Sequence, residues 1–353
     1  IETMKYEGWE AANKEAGIFM FGCPNDSDDP KECLQNGYPD RAAEWGNGLG
    51  SLKEILKLGF KTSFWTRSSA DGRFIGNGGG PNGGATVTDM VRSFDIGIKA
   101  SYDPGFFPDN TGFIYQGGGP KICAQSILET DTLVDFTEPE CMKGNNINLY
   151  QHVARGLNGG DYFIINSQFT SDSGKSNTKD PVANFNAYSS MKFTPMIFNG
   201  QTYEQLKQVV VDSPFEGDSV LSPSGQLVIS RIAGGEDGGS LGYSIRKVAT
   251  EKFGDSYIIN VDQQVATFCF SGAKGNISYD ERFFVTHHHE ENSSDIILVD
   301  MMDGQQYQIT NMPAGSRALF PHFRSDGWFY FLVRSGEDEY ILASDYALQL
   351  EKD

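Results

Sequence analysis

Histidine is scarce in this 353-residue chain: there are five, and His287, His288 and His289 are consecutive. They end the run FFVTHHH, which is rich in aromatic and β-branched residues and predicts an extended strand. Side chains alternate along a strand, so His287 and His289 share one face and His288 takes the other. Two imidazoles so placed could share a transition metal, with His152 or His322 and a carboxylate such as Glu290 or Glu291 completing the shell. The competing reading is an exposed polar strand end. Asp26, Asp28 and Asp29 offer the oxygen-rich composition that calcium requires, but lack the glycine and distant glutamate of an EF-hand loop. A solvated loop held by a disulfide competes with that site.

Five cysteines bear on the same choice. Cys23 and Cys33 flank the acidic segment, and Cys123 and Cys141 lie around a predicted hairpin; either pair could bridge in an oxidising compartment. Cys269, within VATFCFSG, reads as a buried thiol. Nucleophilic catalysis has no motif to rest on, because no G-x-S-x-G elbow occurs. The glycine-rich run GNGGGPNGGA from Gly76 is followed by no lysine and no helix signal, and predicts a loop between strands rather than a phosphate cradle.

The elements that must position these residues repeat. SSADGRFIGNG from Ser68, FFPDNTGFIYQG from Phe106, LSPSGQLVISR from Leu221, ISYDERFFVTH from Ile277 and FRSDGWFYFLVR from Phe323 each read as a polar turn entering an apolar strand. Four have an apolar residue before the turn: Phe106, Leu221, Ile277 and Phe323. A weaker copy starts at Leu157. Counted at Gly72, Gly112, Gly160, Gly225, Glu281 and Gly327, the turns are 40, 48, 65, 56 and 46 residues apart, close to the roughly 40–50 residues of a four-stranded propeller blade. Further strands are predicted at 85–91, 93–100, 122–128, 132–136, 242–248, 294–301 and 306–310. The expected fold is all-β: a six-bladed β-propeller of four-stranded antiparallel blades.

The phrases YDPGFFPDNTGFIYQ from Tyr102, DSVLSPSGQLVIS from Asp218 and FPHFRSDGWFYFLVR from Phe320 resemble the repeat of TolB-type propellers, over roughly residues 60 to 347. The first copy lacks the apolar lead-in, the third lacks the Pro-Asp core, and the fifth has Asp280-Glu281 in place of Asp-Gly. The resemblance implies a propeller and says little about activity. It also implies a binding role, with a protein or small ligand on an end face or in the central channel. Propeller lyases that cleave oligogalacturonate resemble the same family and hold a divalent metal with channel histidines. His322, on an innermost strand, is the candidate channel histidine, so a metal-dependent lyase or hydrolase is the alternative.

Residues 1–60 form a segment before the blades of 61–353, within a single domain. Residues 17–22 are expected to supply the missing outer strand of the last blade and close the ring. Ser51–Leu58, with Leu52, Ile55, Leu56 and Leu58 apolar, predicts one short helix on an end face. A net charge of −19 repels phosphate backbones and excludes nucleic acid and anionic membrane surfaces as partners. No apolar run approaches the ~18 residues that span a membrane. The acidity, the cysteine pairs and a start at Ile1 rather than Met predict a trimmed protein of the periplasm or extracellular medium.

Overall fold

The computed structural model describes residues 38–63, 65–80, 84–90, 94–98, 104–116, 122–126, 152–156, 160–169, 189–198, 203–233, 240–262, 264 and 266–350. Their regular secondary structure is almost wholly β-strand, with short helices α1 (Ala42–Trp45) and α2 (Tyr346–Leu350). The chain divides into two compact units. One comprises residues 1–119, 123–139 and 274–353, the other residues 120–122 and 140–273.

In the first unit β1 (Leu52–Leu58) precedes a four-stranded meander of β2 (Thr66–Ser68), β3 (Phe74–Gly78), β4 (Ala85–Asp89) and β5 (Phe94–Ile98). The strands β6 (Gly105–Phe106), β7 (Gly112–Gln116) and β8 (Ile122–Ser126) form a three-stranded sheet. The second unit holds a sheet of β9 (His152–Arg155), β10 (Tyr162–Phe169) and β11 (Ser189–Phe198), with β12 (Tyr203–Gln205) and β13 (Val209–Asp212) both on β11. Its other sheet comprises β14 (Glu216–Leu221), β15 (Leu227–Ala233), β16 (Ser240–Phe253), β17 (Ser256–Val261) and β18 (Ala266–Phe268).

The first unit resumes with β19 (Gly275–Ile277), β20 (Phe283–His289), β21 (Ser294–Asp300) and β22 (Gln306–Gln308), then β23 (Ser316–Phe323), β24 (Phe329–Ser335) and β25 (Asp338–Ser344). These two meanders are joined by one bridged pair, Ser294 with Arg317. The last meander gains its outer strand from β1, which pairs antiparallel with β25 from Leu52–Ser344 to Leu58–Glu339.

That strand corrects the helix expected at Ser51–Leu58. A β-bulge between Glu54 and Leu56 shifts the alternation by one residue, so Leu52, Ile55 and Leu58 are all buried. In sequence this bulged pattern imitates the three- and four-residue spacing of a helix face. Leu52 packs with Phe331 and Leu342, and Ile55 with Leu332 and Ile341. Residues 17–22, expected to play this part, lie outside the described residues, as do Cys23, Asp26, Asp28, Asp29, Cys33 and Cys141. Cys269 is exposed rather than buried, because it follows Phe268 at the end of β18 and it is Phe268 that turns inward.

The repeated turn recurs with the same bonds. In the first copy Ser69 N–H donates to the Phe74 carbonyl and Gly72 N–H to the Ser69 carbonyl, each at 2.9 Å. Gly72 has φ +77°. The Ser69 hydroxyl accepts from Phe74 N–H at 3.0 Å and donates to Asp71 at 2.5 Å, and Asp71 accepts from Arg73 N–H at 3.0 Å. Ser278 to Phe283 repeats this whole set, with Glu281 at φ +60° in the glycine place. Even the next residue matches: Arg73 pairs with Asp89 and Arg282 with Asp300, at 2.9 and 2.7 Å. In the copy at Ser222, Ser224 takes the aspartate's part. In the second copy the residue at positive φ is Asn110, at +60°, two positions before the Gly112 from which the spacing was counted.

The last turn packs on the first. Ser325 N–H and Oγ both donate to the Ala70 carbonyl, at 2.7 and 2.9 Å. The buried Arg324 binds Asp326 at 2.5 Å and the Tyr330 hydroxyl at 2.8 Å. A Cβ on Gly72 would meet Arg324 Cδ and Tyr330 Oη at 2.9 Å, whereas a Cβ on Gly304, at φ +78°, would meet open space.

Two outcomes follow for urea denaturation. Leu52→Ala should lower stability by about 2–4 kcal/mol, as for a buried leucine in a packed strand, where a surface helix would lose far less. Gly72→Ala should cost more than Gly304→Ala, since both pay about 1–2 kcal/mol for positive φ and only the first also meets Arg324 and Tyr330.

Candidate functional site

Among the described residues, two places bring chemistry-bearing groups together, one in each unit. The first lies where β23 bulges between Leu319 and His322. Phe320 sits in that bulge at φ +53°, an uncommon conformation for a bulky side chain. Its backbone groups leave the strand ladder, and a buried backbone polar group without a partner is costly. Two histidines serve as those partners. Phe320 N–H donates to His287 Nδ1 at 3.2 Å, and the Phe320 carbonyl accepts from His322 Nδ1 at 3.3 Å. The Phe320 ring stands edge-on to the His287 ring, with centroids 5.1 Å apart.

These bonds set the tautomers. His287 accepts at Nδ1, so its neutral ring carries the proton on Nε2. His322 donates at Nδ1, so its Nε2 is a lone-pair acceptor; that atom is buried and has no hydrogen-bond partner among the described residues. Burial drives the His322 pKa down to about 4, and the positive charge of Arg67 adds to the effect against the opposing bond to Phe320. Arg67 and Lys274 both stack on Trp65, at 4.4 and 4.3 Å from its ring centre.

The strand places the sequence-predicted histidines as follows. His287 is buried and His289 exposed, with ring centroids 4.8 Å apart, and His289 Nδ1 bonds Ser294 Oγ at 2.5 Å. His152 lies on β9 in the other unit, and Cys123 lies on β8. Among the described residues no group of three or more His, Cys, Asp and Glu side chains is placed to hold a metal ion.

The second place is a cleft of about 450 Å³ in the second unit, between Gly156 and Gly160, the turn at Ser224–Gly225 and the hairpin β16–β17. Strand β16 runs past its blade partners: Tyr243–Ile245 pair with β18, while Val248–Phe253 continue into a ribbon with β17. Val248 and Ile259 bury one face of this ribbon in the core of its unit. Further along, Lys252 and Tyr257 reach back to Asp161. Lys252 Nζ binds Asp161 Oδ2 at 2.6 Å, and the Tyr257 hydroxyl donates to the same oxygen. Burial first and then Asp161 push the Tyr257 pKa above its ordinary value, so the phenol stays protonated. Its ring meets Phe163 edge-on at 5.1 Å.

Sequence reading missed this group. Asp161 looked like one more turn residue, and the pairing of Lys252 with Tyr257 emerges only once β16 is seen to overrun its blade. The available signal was the fourteen-residue length of β16, SLGYSIRKVATEKF, uninterrupted by glycine or proline after Gly242.

No family model matches the chain, and no curated protein matches it. Solved structures do. An oligogalacturonate lyase in complex with manganese is similar at 12% identity and a TM-score of 0.50, over 87% of this chain and 96% of that one. The β-propeller domain of Cps50 (Swd1) from Myceliophteria thermophila is similar at 9% identity and a TM-score of 0.47, over 86% and 99%. TolB from Acinetobacter baumannii is similar at 12% and 0.43, over 73% of this chain; the match spans only 56% of that chain. At such identities the likeness bears on fold alone, and the fold is all-β, of β-propeller type. No helix among the described residues is long and apolar enough to cross a membrane.

The depressed pKa of His322 has a stability consequence with a definite sign. Between pH 4 and 6.5 the unfolded chain binds a proton at this residue that the folded chain refuses. Its contribution is therefore complete above about pH 6.5 and is lost as pH falls toward 4, amounting to roughly 3 kcal/mol at about 1.4 kcal/mol per unit. The difference in unfolding free energy between the wild type and His322→Gln, measured across that window, should show this slope.

Proposed function

We propose that this chain is a non-catalytic binding propeller of six four-stranded blades, closed by an N-terminal strand, working in the periplasm or outside the cell. Its partner is a protein or small ligand held on an end face or in the channel. One observation carries the reading: His287 and His322, the histidines with most claim to chemistry, hold the N–H and C=O of the same bulged residue, Phe320. A ring whose nitrogen accepts a backbone amide is spent on structure. The pairing of β1 with β25 supports an N-terminal closing strand. The net charge of −19 supports an acidic surface suited to an extracytoplasmic medium, and argues against nucleic acid.

A second reading, a metal-dependent lyase or hydrolase, keeps one observation in its favour. His322 donates from Nδ1 to a carbonyl and presents a buried lone pair on Nε2, the arrangement in which metal-ligating histidines are usually held. His322 would be the first ligand, and a divalent ion there would supply Lewis-acid activation of a substrate oxygen.

Elemental analysis of the undialysed protein, beside a His287→Ala/His289→Ala variant and a His322→Ala variant, decides between them. The binding reading expects no transition metal that depends on these residues. It also expects His287→Ala to lose about 1–3 kcal/mol of stability, the cost of leaving the Phe320 amide unpaired. A stoichiometric transition metal lost in either variant would overturn it.

A further inference from the structure

The geometry points to the cleft of the second unit as a binding site for a small, uncharged, polyhydroxylated ligand, a neutral sugar. This rests on reading the chain as a binding propeller and names what one of its sites would hold. The volume of about 450 Å³ falls within the ~300–1,000 Å³ usual for ligand pockets.

The walls supply hydrogen-bonding groups of both kinds at close spacing. Gly156, Gly160 and Gly225 have no side chains to cover the backbone, and Ser224, Gln226 and Thr250 add hydroxyl and amide groups. Gly225 is held at φ +75°, so a side chain there would be strained, and the position stays bare. Tyr257 and Phe163 meet at a corner and provide an apolar wall, which suits the C–H face of a sugar ring.

Charge decides the ligand class. Lys252 and Tyr257 both bind Asp161 Oδ2. The carboxylate retains its other oxygen, Oδ1, as an acceptor at a side chain that is 17% exposed. The ammonium beside it disfavours a cationic ligand. The carboxylate itself, in a chain of net charge −19, disfavours an anionic one. A neutral ligand rich in hydroxyl groups can donate to Oδ1 and accept from Lys252 without either penalty, and charge-assisted bonds of this kind are the strong ones.

The test is calorimetric titration of the full chain with D-galactose and cellobiose as neutral probes, and D-galacturonate and D-glucosamine as charged ones. At least one neutral probe should bind about ten-fold more tightly than the charged sugars. Asp161→Asn should weaken that binding by about ten-fold or more, the loss of one charged hydrogen bond. Tyr257→Phe, which removes a single hydroxyl, serves as the second variant should Asp161→Asn fail to fold, and should weaken binding as well. Equal or tighter binding of a charged sugar overturns the inference, as does binding indifferent to both variants or no binding of any probe. The wider reading as a binding propeller falls separately, on a histidine-dependent metal.

Discussion

Among the described residues, the turns at Gly72, Asn110, Gly225, Glu281 and Gly327 each spend one residue at positive φ, and the strands they join depend on that conformation. The backbone bonds that close such a turn leave one amide and one side chain to settle. A serine or aspartate settles them by bonding back to the chain two and five residues on, as Ser69 and Asp71 do and as Ser278 and Asp280 do again. With the turn rigid, the residue that follows is aimed. Arg73 and Arg282 each lie over the next phenylalanine, 4.8 Å from its ring centre, and reach the aspartate that ends the following strand. A sheet built on such turns has its register set before its core is packed.

Positive φ recurs at a second kind of place, inside the inner strands. Asp218 in β14 and Phe320 in β23 stand three residues before Leu221 and Phe323, and both sit in bulges, at φ +48° and +53°. The two bulges are settled differently. Asp218 bonds Arg231 at 2.7 Å, whereas Phe320 takes two histidines on its backbone. That is why a run of histidines, conspicuous in the sequence, acquires a structural explanation in the fold.

The cleft in the second unit follows from a different economy. A strand longer than its blade must either fray or find something to pair with, and β16 finds β17. The resulting ribbon is anchored at its base by Val248 and Ile259 and further out by Lys252 and Tyr257 on Asp161. The space enclosed is lined by Gly156, Gly160 and Gly225, the last held at positive φ, and the backbone they leave uncovered is what a ligand would use.

The sequence by itself determined the local grammar of this protein. The Asp-Gly turns, the apolar residues that flank them and strands such as 85–91, 294–301 and 306–310 were legible, because each depends on residues within a few positions of one another. Alternation also placed His287 and His289 on one side of one strand. Tertiary structure decided what reached across. Ser51–Leu58 read as a helix because a bulge put its buried residues three apart, and only pairing with β25 reveals the strand. Phe320 carried no signal, since its conformation exists to serve a bulge fixed by the opposite strand. Asp161, Lys252 and Tyr257 are separated by 91 and 96 residues along the chain, and spacing cannot report a meeting made by two blades folding side by side. Periodicity records which face a residue takes; it holds no record of what stands opposite.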